Sequence, residues 1–269
     1  MIGVCLGTKY TVILNEYNVA KEVLSHPAAL DRSPNIFGHL KPGAVTGLLT
    51  ANGEEWVEQR KFCFSASRDL GLGRSYWEDL IMQESSDFVK KLQELNGKPV
   101  ETYDDISSSV ISNIVSLLIG RQLDKEKEAD KIRLCVDYSD VALIFTSPSS
   151  PCNVVPGLRK LLEVLKIAGY DKAAKIVDDF TDFLRAEIGR HKISSESKQE
   201  RDFINSYLER LAELKASKNT KHYFSEPMLE GNLNALFIGA TDTISVFWVC
   251  CFALCVNTRT SKRRSIMKS

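Results

Sequence analysis

The chain has 269 residues, and its 35 lysines and arginines balance its 35 aspartates and glutamates, so the formal net charge is zero. Its 43% hydrophobic and 26% charged composition is typical of a globular protein and excludes disordered, collagen-like and low-complexity classes. A neutral total argues against nucleic-acid binding, because such proteins carry a basic excess. The charge is unevenly distributed: residues 256–269 hold five cations and no acid, whereas residues 1–255 carry a net charge of −5.

The cysteines and histidines indicate neither a disulfide framework nor a metal site. Seven cysteines are an odd number, no Cys-x-x-Cys pair occurs, and neither a secretory leader nor a glycosylation sequon is recognised. We therefore expect reduced, mostly buried thiols. The four histidines are scattered and show no zinc-ligand spacing.

The first quarter of the chain predicts a small β element and one helix. Residues 3–14 are typical of a short hairpin. Asn15 is expected to cap a helix that stops before Pro27. Residues 28–52 contain several prolines and glycines and predict a loop.

The rest of the chain is helical by its apolar period, which predicts a mainly α fold with a small β element. Trp56 and Arg60 lie on one face of the first of these helices. A helix over residues 229–255 would be roughly 40 Å long, from about 1.5 Å per residue. The remaining predicted helices cover residues 76–95, 105–119, 157–168, 171–192 and 201–217.

The apolar 229–255 segment is interrupted by Gly239-Ala240-Thr241-Asp242-Thr243. Glycine and threonine are poor helix residues, and a buried acid is costly without a partner. One interpretation is a functional cleft or a bent helix with freed carbonyls, in which a threonine hydroxyl bonds the carbonyl one turn earlier and opens the helical hydrogen-bond ladder there. Another is a simple polar interruption, with Asp242 paired to a base on a neighbouring helix. A membrane anchor over residues 244–256 is a third, although this run is shorter than the roughly 20 residues needed to span.

A second segment pairs Trp56 with Arg60, four residues apart and therefore on one helix face. An indole N–H beside a guanidinium can bind a carboxylate. The alternative is a Trp–Arg stack on a solvated helix.

Together these segments resemble the cytochrome P450 monooxygenases. Gly-Ala-Thr-Asp-Thr is similar to the oxygen-activating stretch of their central helix, and Trp-x-x-x-Arg to their haem-propionate motif. The opening Gly3–Leu24 stretch and Asp202–Leu208 also resemble family segments. The similarity is strongest to animal microsomal enzymes that oxidise drugs and steroids. It implies a cytochrome P450 fold, an all-α bundle with a small β-sheet, here incomplete.

The resemblance also implies residue roles. Trp56 and Arg60 would hold a propionate of haem b. Ala240 would lie against the haem face, and Thr243 beside bound dioxygen, where its hydroxyl helps deliver protons. Asp242 would link that site to protons from solvent. Ala240 stands where the family usually has glycine.

The implied reaction inserts one oxygen atom of O2 into a lipophilic substrate, with electrons from an NADPH-dependent reductase. Phe237, Ile238 and residues around Phe145 would line the substrate space. The resemblance implies the endoplasmic reticulum membrane. Because no anchor is recognised in this sequence, the cytoplasm is the alternative location, with membrane contact still open. No nucleic-acid partner is expected.

The family's cysteine loop, Phe-x-x-Gly-x-Arg-x-Cys-x-Gly, which supplies the axial iron ligand, does not occur in this sequence. Cys250, Cys251 and Cys255 are expected to pack in the core instead, so no metal ligand is predicted. We expect residues 1–255 to be the amino-terminal half of the domain and residues 256–269 a divergent basic tail.

A truncated chain of this kind is expected to be marginally stable, aggregation-prone, free of haem and inactive alone. The reason is that several apolar side chains of the long helix would face solvent, namely Phe237, Val246, Phe247, Trp248 and Phe252. The rival hypothesis is a non-catalytic helical protein that uses this apolar helix to bind a partner.

Overall fold

The computed structural model describes residues 1–6, 9–32, 47–71, 75–146, 152, 155, 157–167, 169–194, 202–217 and 220–266. It is mainly helical, with one small sheet. In chain order the elements are β1 (Ile2–Leu6), β2 (Lys9–Ile13), α1 (Tyr17–Ser25), a 3₁₀ turn (Pro27–Ala29), α2 (Gly47–Thr50), α3 (Gly53–Asp69), α4 (Ser75–Glu94), α5 (Thr102–Ile119), α6 (Ala129–Thr146), α7 (Leu158–Val164), α8 (Tyr170–Ser194), α9 (Phe203–Ala216) and α10 (Glu226–Ile266).

The predicted hairpin is confirmed, but the predicted helix cap after it is wrong. Strands β1 and β2 pair antiparallel, with Ile2 opposite Ile13. Helix α1 begins at Tyr17 with Glu16 at its cap position. The Asn15 side chain instead accepts a hydrogen bond from the amino group of Met1 at 2.9 Å. It therefore ties the two ends of the hairpin together, which leaves it unable to cap α1.

Most later helices agree with the sequence prediction within a few residues, but three do not. Helix α2 lies within residues 28–52, which were predicted as a loop and of which 33–46 lie outside the described residues. Helix α10 continues to Ile266 instead of ending at 255, and no helix was predicted where α6 lies. The buried side chains of α6 include Cys135, Val136, Tyr138 and Ala142, but the buried Ser139 interrupts that apolar set. This mixture hides the helical period. Helix α6 packs between α5 and α8 and makes one wall of the core.

The core is built around the first part of α10. Tyr138 of α6 stacks on Phe180 of α8, with ring centroids 3.8 Å apart and an interplanar angle of 9°. Phe237 of α10 lies 4.8 Å from Phe180 and is 1% exposed. Burial of side chains of this size stabilises the fold by roughly 1.5–3 kcal/mol each. The prediction that Phe237 faces solvent or lines a substrate space is therefore wrong.

A second aromatic cluster fixes α3. Phe62 makes edge contacts with Phe203, Tyr207 and Phe224, at centroid distances of 6.0, 5.3 and 5.2 Å. Edge-to-face pairs contribute about 0.5–1.5 kcal/mol each beyond the buried area. Since Phe203 and Tyr207 belong to α9 and Phe224 precedes α10, this cluster holds α3 against both helices.

A buried histidine joins α8 to the start of α9. His191 lies with Nδ1 at 2.7 Å from the Glu187 carbonyl oxygen and Nε2 at 3.1 Å from Asp202 Oδ2. Asp202 also caps α9 by accepting a hydrogen bond from Asn205 N at 2.8 Å. Burial lowers the pKa of His191, but the bonds to Asp202 and Glu187 outweigh it, so the net pKa is raised. Both ring nitrogens meet acceptors, which suits the doubly protonated ring.

The distal part of α10 (residues 239–256) exposes many of its apolar side chains to solvent. The predicted exposure of Val246, Phe247, Trp248 and Phe252 is confirmed, and Phe247 is 62% exposed. By length and composition, Glu226–Val256 could cross a membrane, with a mean hydropathy of 1.7 in an 18-residue window that is 33% buried inside the protein. The helix also continues through residues 256–266.

All seven cysteines are free. The prediction that they are mostly buried is wrong, because only Cys63, Cys135 and Cys152 are buried. Cys250 and Cys255 are exposed and Cys251 is half-buried. These three do not pack in the core because the distal part of α10 extends beyond the helices that would cover it.

Candidate functional site

The first candidate segment lies at the start of α3. Two acids, Glu54 and Glu55, stand in its first turn, where the helix dipole favours negative charge. Trp56 follows and is half-buried, while Arg60 is exposed. The guanidinium carbon of Arg60 lies 5.3 Å from the ring centroid of Trp56 and 4.6 Å from that of Phe64. The structure thus brings the predicted pair together as a cation–π stack.

The structure adds a second cation, Arg32, which no sequence pattern indicated. Its guanidinium carbon lies 5.5 Å from the Trp56 ring centroid. Asn52, just before α3, holds this segment: its Oδ1 accepts from Arg32 N at 2.6 Å, and its Nδ2 donates to Arg32 O at 2.9 Å. Arg32 is 24 positions before Trp56 in the chain, so only the folded backbone reveals their proximity.

These groups suit an anionic ligand. Arg32 donates from Nη1 to the Leu30 carbonyl at 2.7 Å. Within the described part of the chain, neither Arg32 nor Arg60 forms a salt bridge with a carboxylate. Two guanidinium groups beside an indole therefore keep the capacity to bind a carboxylate. A haem propionate is such a group, so the residues present fit the cofactor that the resemblance implies.

An open depression of about 550 Å³ adjoins Arg60 on the same helix. It is lined by Arg60, Lys61, Phe64, Ser65, Ser67 and Arg68. Three of these side chains are cationic, which gives this side of α3 a positive character.

The second candidate segment is the centre of α10. Its residues Gly239 and Thr243 are exposed and Ala240 is half-buried. Apart from the nearby backbone of α10 itself, no atom of the described residues lies within 4 Å of the position that a Cβ would take at Gly239. Thr243 Oγ1 donates to the Gly239 carbonyl oxygen at 2.8 Å. The predicted bond of a threonine hydroxyl to the previous turn is confirmed, whereas the predicted opening of the helix there is wrong, because α10 is one uninterrupted α-helix through this point.

Asp242 points to the other side of α10. It is 9% exposed, and within the described residues its Oδ1 has no hydrogen-bond partner. Burial, followed by the charge of Asp140 on α6, raises the pKa of Asp242. Among those residues no base forms a salt bridge with it, so the predicted pairing with a cation is wrong.

The neighbours of Asp242 are acidic. Tyr103 of α5 donates from Oη to Asp140 Oδ1 at 2.8 Å. Burial, this hydrogen bond and the charges of Asp140 and Asp242 raise the pKa of Tyr103 to about 12. The charge of Asp140 therefore raises the pKa of both Tyr103 and Asp242, in addition to the effect of burial on each.

The predicted site residues fall into three places. Trp56 and Arg60 form one group, and Ala240 and Thr243 share one face of α10. Asp242 lies apart from both, on the side of α5 and α6. Ile238 is half-buried against the core, and the Phe145 side chain lies outside the described part of the chain. In the described ranges, no group of three or more His, Cys, Asp or Glu side chains could hold a metal ion.

Comparison with known proteins identifies the family of the chain. A family model described as Cytochrome P450 matches residues 1–264. The chain is 27% identical to Cytochrome P450 2C25 of Mesocricetus auratus and 28% identical to Cytochrome P450 2C39 of Mus musculus. It is 27% identical to Cytochrome P450 2H2 of Gallus gallus.

Each of these matches covers 89% of this chain and 48% of the relative. The chain thus spans about half the length of the curated relatives it matches. Haem is the cofactor of this family, and the fold is the helical one expected of it. Since the family model matches nearly the whole chain, the chain belongs to the cytochrome P450 family.

Proposed function

We propose that the chain supplies the propionate-binding helix and the oxygen-side helix of a haem monooxygenase. The observation that carries this proposal is the pair of uncompensated guanidinium groups of Arg32 and Arg60 on the Trp56 ring. In the proposed reaction, O2, two electrons and two protons convert a lipophilic substrate into its hydroxylated product and water. The haem supplies the oxygen chemistry when bound.

The residues of α10 would orient the other face of the cofactor. Gly239 and Ala240 have small side chains, which let a flat ligand approach the helix closely. The Thr243 hydroxyl donates its proton to Gly239 O, so its lone pairs remain free to accept a hydrogen bond from water. Asp242 would take up and release protons on the inner side of the helix, because burial and the charge of Asp140 raise its pKa.

We further propose how the chain divides, which partner supplies electrons and which substrates are oxidised. Residues 1–255 would form the amino-terminal half of the cytochrome P450 domain, and residues 256–269 a divergent basic tail. The electrons would come from an NADPH-dependent reductase at the endoplasmic reticulum membrane. Drugs, other foreign compounds or steroids would be the substrates, since they are lipophilic.

Porphyrin binding tests the propionate site without an axial ligand. The dissociation constant of haemin and that of its dimethyl ester, which lacks free carboxylates, would be measured by fluorescence quenching. We expect the wild-type chain to prefer haemin. Arg60→Ala and Arg32→Ala should each weaken haemin binding about tenfold and leave ester binding unchanged, since a charge-assisted hydrogen bond contributes about 1.5–3 kcal/mol.

Lys61→Ala is the matched control, because Lys61 is a neighbouring exposed cation on α3 that does not stack on Trp56. It should bind haemin like the wild type. Equal affinities for haemin and its ester in the wild-type chain would overturn the proposal.

A second candidate function is a non-catalytic interaction protein, favoured by the exposed Phe247 and Trp248 on α10. A contiguous apolar surface of this kind marks binding sites in other proteins. A stable complex with a partner that persists in Thr243→Val and Arg60→Ala variants would support this function over the first.

A further inference from the structure

Gln59 is a fully buried amide at the centre of α3. It has 0% exposure and lies between Trp56 and Arg60 in the sequence. A buried amide is costly unless its donors and acceptors are satisfied. Its side chain points into the protein, whereas that of Arg60 points outward. The same turn of α3 thus carries a candidate ligand contact on one side and a buried polar group on the other.

The hydrogen bonds of Gln59 reach three other segments. Its Oε1 accepts from Asn232 Nδ2 at 2.7 Å and from Tyr207 Oη at 3.1 Å. Its Nε2 donates to the Tyr223 carbonyl oxygen at 3.1 Å. Asn232 is on α10, Tyr207 on α9, and Tyr223 in the segment that leads into α10. We call these four residues the Gln59 hub.

Neighbouring contacts strengthen the same junction. Tyr223 N donates to Glu58 Oε2 at 2.7 Å, and Ser225 N donates to the Tyr207 hydroxyl at 3.4 Å. Asn232 is itself fully buried. The start of α10 is therefore held to α3 by side chains from adjacent positions of α3, Glu58 and Gln59.

Close backbone packing at the same level of α10 adds to this anchoring. A Cβ at Gly47 of α2 would lie 2.1 Å from the Gly231 carbonyl carbon, so the two backbones are in direct contact there. Asn232 precedes Ala240 by eight residues, or roughly 12 Å along the helix axis. A change at the hub would consequently move α3 relative to the whole central face of α10.

We propose that Gln59 is a positioning residue for cofactor binding. It fixes the rotation of α3 and the spacing between α3 and α10. Trp56 and Arg60 on α3 can then contact the same ligand as Ala240 and Thr243 on α10. This inference rests on the proposed haem site. Replacement by an apolar side chain would leave Asn232 Nδ2, Tyr207 Oη and the Tyr223 carbonyl without their partner, and α3 could turn away from its present angle.

The test compares Gln59→Met, which has a similar length and no amide, with the wild-type chain. We expect the preference for haemin over its dimethyl ester to fall at least fivefold, because Arg60 no longer meets the propionate. Tyr207→Phe removes one hydroxyl from the hub and should lower the preference by a smaller factor. If Gln59→Met does not fold, Tyr207→Phe provides the test in its place.

Tyr138→Phe is the matched control. It removes a hydrogen bond from a buried tyrosine to Asn234 of α10, two positions beyond Asn232, without touching α3. It should keep the wild-type preference. If it loses the preference as much as Gln59→Met does, general destabilisation is the cause and the inference is overturned.

An independent measurement separates this inference from the proposed function. In chains labelled with 5-fluorotryptophan, the ¹⁹F resonance of Trp56, assigned through Trp56→Phe, should shift in Gln59→Met and remain in place in Tyr138→Phe. If wild-type chains do not distinguish haemin from its ester, the proposed function fails and this shift still tests the hub. If the Trp56 resonance and the preference for haemin over its ester are both unchanged in Gln59→Met, this inference is overturned while the proposed function stands.

Discussion

Helix α10 contains two parts of similar apolar character and opposite environment. The proximal part (residues 226–238) buries Met228, Leu229, Leu233 and Phe237 in the core. The distal part (residues 239–256) exposes large side chains, including Ile244, Phe247, Trp248, Leu254 and Val256. The comparison teaches that an apolar helix is buried only where other helices reach it.

The largest expected effect tests this difference directly. Phe237→Ala should lower the free energy of unfolding by about 3–5 kcal/mol, because it leaves a cavity beside Tyr138 and Phe180. Phe247→Ala, at a position 62% exposed, should change it by less than about 0.5 kcal/mol. Urea denaturation followed by circular dichroism measures both. Similar losses in the two variants would contradict the division of α10 into buried and exposed parts.

Two glycines test the same difference between the proximal and distal parts of α10 at the backbone. Gly47→Ala places a Cβ 2.1 Å from the Gly231 carbonyl carbon, so α2 must move away from the proximal part, at a cost of about 1–3 kcal/mol. Gly239→Ala meets no other segment of the described residues within 4 Å and should stabilise α10 by roughly 0.5–1 kcal/mol. Thermal unfolding should therefore shift in opposite directions for the two variants.

Asp242 is the acid of the distal part that turns toward the core, and its charge should make stability depend on pH. Burial, followed by the charge of Asp140, raises its pKa above the ordinary value of an aspartate, so the neutral carboxyl stabilises the fold and this contribution is lost as pH rises through the folded pKa. Asp242→Asn should be more stable than the wild type at pH 7, by of the order of 1 kcal/mol. The difference should vanish below the unfolded pKa. A constant difference across pH would contradict the assignment.

The smallest effect concerns the surface of the proximal part. Arg185 of α8 donates to Glu230 from Nε at 2.7 Å and from Nη2 at 3.1 Å. Since Arg185 is exposed, Arg185→Ala should cost only about 0.2–1 kcal/mol, and less at high salt. Denaturation at two salt concentrations measures this. A loss equal to that of Phe237→Ala would mean that ion pairs, and not the core, hold this part of α10.

Local patterns predicted much of the fold. The hairpin, most helix bounds and the hydroxyl bond of Thr243 all depend on residues within one turn or one strand pair. The family resemblance through Trp56, Arg60 and the centre of α10 is confirmed by the comparisons. The roles of these residues stay predictions, because no comparison tests them residue by residue.

Three of the errors concern contacts between distant segments, whereas the miss of α6 has a local cause. Asn15 was expected to cap α1 and instead bonds to Met1. Cys250 was expected in the core and is exposed. Arg32 was not considered, although it stacks on Trp56. Helix α6 was missed because its buried face includes Ser139.

The sequence by itself determined where most of the helices lie, which residues interrupt the apolar run of α10, and the family to which the chain belongs. These follow from hydrogen bonding and apolar period over a few residues, and from motifs that are continuous in the chain. The tertiary structure decided which side of each helix is buried. It turned Asp242 inward beside Asp140 and brought Gln59 of α3 against α9, α10 and the segment that leads into α10. Burial and charge depend on which segments meet, and that meeting is fixed by packing of the whole fold.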